Sequence, residues 1–253
     1  MSSIAITWIA FGCTSGGMLL GLMVRAALPE RDLSADQRDV VRQAVSVIAT
    51  LVAVVLGLLV GSAKNSYDVQ SSQINQMTAN ITLLDRLLAQ YGPETKTSRE
   101  LLRRSIDPLA DQIWREGASG SSKVTRSDTN SSAEEMNYRI QELTPQSDTQ
   151  RSLQAQAIQI GINLAQTRFL LFGQTANTIP MPFLVVLIFW LTIVFASFGF
   201  FARPDATVIA ALFVCALAAC SSIFLVVDLD RPFTGLMAIS SAPLRNALAP
   251  LGS

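Results

Sequence analysis

Histidine is absent from all 253 residues. Its absence removes the commonest general base, the commonest transition-metal ligand and the side chain that titrates near neutral pH. The glycine-rich dinucleotide and triphosphate loops, the nucleophile elbow and the paired-histidine zinc motif do not occur either. Enzymatic chemistry is therefore not expected, and neither a cofactor nor a metal site is. Net charge is zero, with 19 basic and 19 acidic residues, so nothing predicts a general attraction to nucleic acid. Cysteine is scarce: Cys13, Cys215 and Cys220 all fall in apolar runs, where they read as small packing residues.

Charge is missing altogether from four stretches, 4–24, 44–63, 179–202 and 206–227. A hydrocarbon core about 30 Å thick takes about 20 apolar residues at a helical rise of about 1.5 Å per residue, and all four suffice. Soluble core helices seldom run five turns without a charge. The first stretch has no preceding Lys or Arg and no cleavage box, so it reads as a retained span rather than a leader. Partners implied so far are membrane lipid and other apolar helices.

Beyond the second run the helical pattern continues. Tyr67, Ile74, Ile81 and Leu88 fall seven apart, and Met77, Leu84 and Tyr91 supply the interleaved position. Gly92 and Pro93 should end that helix, the first as a C-cap and the second as a residue that cannot continue the ladder. A further helix is expected to carry Leu101, Leu102, Ile106, Leu109, Ile113 and Trp114 on one face. The segment 117–132, rich in Ser, Gly, Thr and Asn, reads as a flexible loop. Met136, Ile140 and Leu143 mark a short helix before Pro145. Ser147 or Asp148 can cap another, which carries Leu153, Ala157, Ile160, Leu164 and Leu171.

The expected fold class is all-α: an integral membrane protein with four transmembrane helices and a helical bundle inserted between spans two and three. Four blocks follow: 1–63 with spans one and two, 64–178 as the helical domain, 179–227 with spans three and four, and a tail, 228–253, with a short helix. Both termini and the inserted domain share one side of the membrane. Arginine and lysine are split almost evenly between the two sides, so the positive-inside rule leaves the orientation open.

Few residues suggest chemistry. Gly12, Gly16, Gly17 and Gly21 in the first span and Gly57 and Gly61 in the second are spaced for close helix packing, within the subunit or between subunits. No span carries a charge at its middle, which argues against a proton-coupled carrier. Leu51, Val54, Val55 and Leu58 would form rings of aliphatic side chains if several copies of the second span met on an axis. Asn65 and Asp68, beside Lys64 and Tyr67, would stand at the mouth of such a pore. Asp228 and Asp230 sit where the fourth span ends, too few carboxylates for a calcium site that wants six to eight oxygens.

The layout of two spans, a helical insertion and two more spans resembles the bacterial bestrophin-like family of membrane proteins. So do Leu56-Gly57-Leu58-Leu59-Val60 running to Ser66-Tyr67-Asp68, Leu83-Leu84-Asp85, Tyr91-Gly92-Pro93-Glu94 and Asp230-Arg231-Pro232-Phe233-Thr234-Gly235. Bestrophins themselves are pentameric anion channels whose second span lines the pore. The resemblance therefore implies a homo-oligomer in the bacterial inner membrane passing small anions, with the helical domain and both termini cytoplasmic. Asp228, Asp230, Pro232, Phe233 and Gly235 are similar to the acidic Pro-Phe-Gly turn after the fourth span of that family. Departures accompany the likeness: aliphatic residues replace the neck aromatics, the acidic run is shortened, and Thr234 separates Phe233 from Gly235. A non-conducting scaffold whose bundle recruits a partner remains the alternative. A lipid-directed enzyme would have only Asp68, Asp228 and Asp230 to work with.

Overall fold

A computed structural model describes residues 3–27, 35–119, 126–174, 179–202 and 205–247. The described residues form helices joined by turns, with no strand among them: α1 Ser3–Ala27, α2 Ala35–Tyr91, a single 3-10 turn Pro93–Thr95, α3 Lys96–Ser119, α4 Arg126–Gln141, α5 Asp148–Gln174, α6 Met181–Phe201, α7 Ala206–Leu229 and α8 Ala242–Asn246. Four of them, α1, α2, α6 and α7, are long and apolar enough to cross a membrane. The chain divides into two compact units, residues 1–66 with 179–230 and residues 67–178 with 231–253.

In the first unit α1 is clasped by α6 at glycine. A Cβ on Gly21 would overlap the carbonyl oxygen of Ala196, one on Gly199 would overlap that of Met18, and one on Gly17 would lie 2.8 Å from Thr192 Cγ2. Backbone thus meets backbone, the contact that small residues permit where lipid supplies no hydrophobic contrast. Against α7, α1 sets Phe11 edge-on to Phe213 with centroids 5.2 Å apart, and Thr14 Oγ1 lies 3.6 Å from Cys220 Sγ. Val52 and Leu56 of α2 join Ile6, Ala10, Leu187, Leu191 and Ile223 in one apolar cluster.

The second unit has a core of the ordinary water-soluble kind. Ile74, Met77, Ile81, Leu84 and Leu88 of α2 are essentially inaccessible and pack with Leu102, Ile106, Ile140, Ala157, Ile160 and Leu171. The seven-residue seam is therefore filled from within the chain. Asp85, buried beside this core, accepts two hydrogen bonds from Arg99 across the α2–α3 turn, Nε at 2.7 Å and Nη2 at 2.9 Å. That bond raises the Arg99 pKa further above its ordinary value.

The turns follow from their residues. Gly92 has φ 142°, a backbone region open to glycine and strained for other residues, and Pro93 then starts the 3-10 turn. Thr95 Oγ1 donates to the carbonyls of Leu88 and Gly92, tying the bend to the end of α2. At the start of α5, Ser147 Oγ accepts the Gln150 N–H at 3.2 Å, an N-terminal cap. Gln154 Nε2 donates to the carbonyls of Ile140 and Leu143, both at 2.9 Å, and so closes the C-terminal end of α4 from its neighbour.

One expectation is corrected. The loop expected over 117–132 is helical at both ends, since α3 extends to Ser119 and α4 begins at Arg126; residues 120–125 lie outside the described set. Serine and asparagine lower helix propensity by only a few tenths of a kcal/mol each (about 0.5), and the Met136 and Ile140 anchor holds α4 to α3 and α5. Of the six glycines spaced for close packing, Gly12, Gly16, Gly57 and Gly61 have open space around the position a Cβ would take. Those four do not pack inside the protomer, because the helix faces that carry them point away from its core.

Candidate pore face and post-span turn

Along α2 in the first unit one face is buried and the opposite face is not. Val45, Val52, Leu56 and Ala63 point inward. Leu51, Val54 and Leu58, three and four residues apart, point outward with 56%, 55% and 69% of their surface accessible. Val55 parts from them: it is half-buried and packs against the apolar cluster. Gly57 and Gly61 are exposed beside that strip. The strip is smooth, aliphatic and without charge, a surface that either faces lipid or lines a narrow dewetting constriction. Asn65, on the same unit, is exposed, and Asp68, at the start of the second unit, is also exposed.

One end of the α6 span is guarded by arginine. Arg25 Nη1 donates to the Ala202 carbonyl, and the Arg42 guanidinium lies 5.9 Å from the centre of the Phe201 ring. Cations at a helix C-terminus compensate the unpaired carbonyls there. At the other end of that span Asp230 Oδ2 accepts the Ile179 N–H at 3.2 Å. Asp230 also terminates α7, where its own N–H bonds the Val226 carbonyl. A carboxylate beside the first residues of α6 is well placed against that helix's positive end. Asp228 is buried, with 2% of its surface accessible.

The turn that follows is a built piece of backbone. Thr234 N–H bonds the Arg231 carbonyl at 3.0 Å and Ile239 N–H bonds the Pro232 carbonyl at 2.7 Å. Gly235 takes φ 114°. Pro232 and Phe233 are buried, and Phe233 stands edge-on to Trp114 with centroids 5.6 Å apart. Trp114 Nε1 donates to the Ile239 carbonyl at 2.9 Å, and Arg245 of α8 meets Asp111 of α3 at 2.8 Å. The segment after the fourth span is thus laid along α3.

Sequence reasoning did not find Gly199, Thr192 and Ala196 as the counterparts of the α1 glycines. A small-residue step in α6 was the available signal. It also did not find the Asp85–Arg99 pair, whose members are 14 residues apart. Among the described residues no three His, Cys, Asp or Glu side chains converge on a point that could hold a metal.

Comparison with known proteins places this geometry. A variant of a bacterial bestrophin homologue from Klebsiella pneumoniae superposes with a TM-score of 0.73 at 13% identity, covering 100% of this chain and 99% of that one. A second variant of the same homologue gives 0.71 at 13%, with both chains covered in full. At such identity the likeness is one of fold. No functionally curated protein matches the chain. The family model described as the Bestrophin-like domain matches residues 12–244, and by that match the chain belongs to the bestrophin-like family.

Proposed function

We propose that the protein is a homo-oligomeric membrane channel that passes small anions along a path lined by α2. The observation that carries this reading is the exposed aliphatic strip Leu51, Val54 and Leu58 on a helix whose opposite face is buried. Membership of the bestrophin-like family supports it. Set around an axis, the strip becomes a hydrophobic constriction, with Gly57 and Gly61 allowing adjacent helices to approach. Asn65 and Asp68 then stand at its mouth. The protein sits in a bacterial inner membrane with its termini and helical domain in the cytoplasm.

Chloride efflux from liposomes tests this. Leu58→Ala and Val54→Ala widen and wet the constriction and should raise protein-dependent efflux severalfold. Oligomers that pass no chloride, with or without those substitutions, would end the channel reading.

The scaffold reading has one observation of its own. A shallow groove of about 510 Å³ on the second unit is lined by Asn137, Ile162, Ala165, Gln166, Phe169 and Leu170. Phe169 there has 78% of its surface accessible. That groove is where a partner would be sought if no ion passes.

A further inference from the structure

Helix α2 carries no charged residue from 69 to 84, although Ser72, Asn75, Gln76, Ala79 and Leu83 are exposed. Its neighbour α3 is the contrast, with nine charged residues among its 24. Like residues 152–167 of α5, the exposed face of α2 over this stretch carries no charge. It presents hydroxyls and carboxamides instead. Thr78 and Thr82 donate their hydroxyl protons to carbonyls of their own helix. Asn75, Gln76 and Asn80 make no side-chain hydrogen bond among the described residues, so their N–H groups remain outward donors.

One charge ends the stretch on that face. Arg86 is exposed, three residues from Leu83 and ten from Gln76, and has no ion-pair partner among the described residues. The adjacent Asp85 points to the other side of the helix and is taken up by Arg99. The Arg86 guanidinium is therefore not neutralised by its neighbour.

We infer that Arg86 is the residue that recruits and selects small monovalent anions, delivering them to a charge-free carboxamide lining at Asn75, Gln76 and Asn80. The inference rests on the reading of α2 as the pore helix. A ring of Arg86 side chains raises the local concentration of anions and lowers that of cations, one charge per subunit. The amides beyond it replace water without trapping the ion, since a neutral donor binds an anion more weakly than a fixed cation does.

The test is the chloride-to-potassium permeability ratio of the reconstituted full-length protein, taken from reversal potentials in 0.1 M and 1 M salt. Arg86→Gln should lower the ratio about threefold, Arg86→Glu should invert the preference, and Arg86→Lys should keep it. The differences should shrink at 1 M, where the screening length falls from about 10 Å to about 3 Å. A merely structural role would not move with salt. A ratio unchanged by Arg86→Glu, in channels whose flux still responds to Leu58→Ala, overturns the role of Arg86 and leaves the pore reading standing. Channels in which neither position alters flux remove both.

Discussion

The two units differ in what they expose and in what fills their tightest contacts. In the first, Trp8, Leu20, Leu58, Val185, Phe189 and Val214 point outward, while glycine and threonine occupy the tightest internal contact. In the second, a core of large aliphatic side chains is buried and Arg104–Glu100 and Arg139–Glu135 pairs stand on the surface, beside a few exposed apolar residues such as Leu83, Ile162 and Phe169. The difference shows which solvent each unit is built for. Lipid gives leucine no reason to hide, so the membrane unit is held by close backbone approach; water does, so the other unit is held by burial.

That contrast can be broken most severely at Gly21. Leucine there drives a side chain into the Ala196 carbonyl and should cost more than about 3 kcal/mol, because the α1–α6 contact is backbone and cannot yield. The expected outcome is loss of monodisperse protein on size-exclusion chromatography in detergent. A smaller effect belongs to the other unit. Leu84→Ala leaves a cavity in a fully buried site and should cost about 2–5 kcal/mol, read as a lowered thermal midpoint with the spans still helical by circular dichroism. The smallest sharpens the comparison from within α2. Gly57→Leu meets nothing in the protomer, so protomer unfolding should move by less than about 0.5 kcal/mol. A change in oligomer size or in chloride efflux would then place Gly57 between subunits.

Much of this was legible from residue spacing. The seam from Ile74 to Tyr91 announced α2 beyond the membrane, and every one of its positions from Ile74 on is buried. Uncharged runs gave the four spans, because length and charge alone decide whether a helix can cross lipid. A cap was legible at Ser147 or Asp148, and the Ser147 hydroxyl is the one that takes the Gln150 N–H. Composition misled at 126–132, where Ser, Thr and Asn lower helix propensity too little to stop α4. Spacing alone could not say which glycines touch a neighbour. Gly17 and Gly21 do, Gly12 and Gly16 do not, because the two pairs lie on different faces of α1 and α6 meets only one of them. Asp85 and Arg99 were invisible as a pair because their meeting depends on how the α2–α3 turn folds back. The turn at Gly235 could be recognised from its residues, though its attachment to Trp114 required the fold.

That attachment gives the chain an optical gauge. Of three tryptophans, Trp8 and Trp190 lie in α1 and α6, and Trp114 alone belongs to the second unit. Its indole N–H is held by the Ile239 carbonyl and its ring by Phe233, both from the segment after the fourth span. Were that segment lifted from α3, the indole would pass from an apolar seat into water, so the colour of its emission would tell whether residues 233–239 are docked.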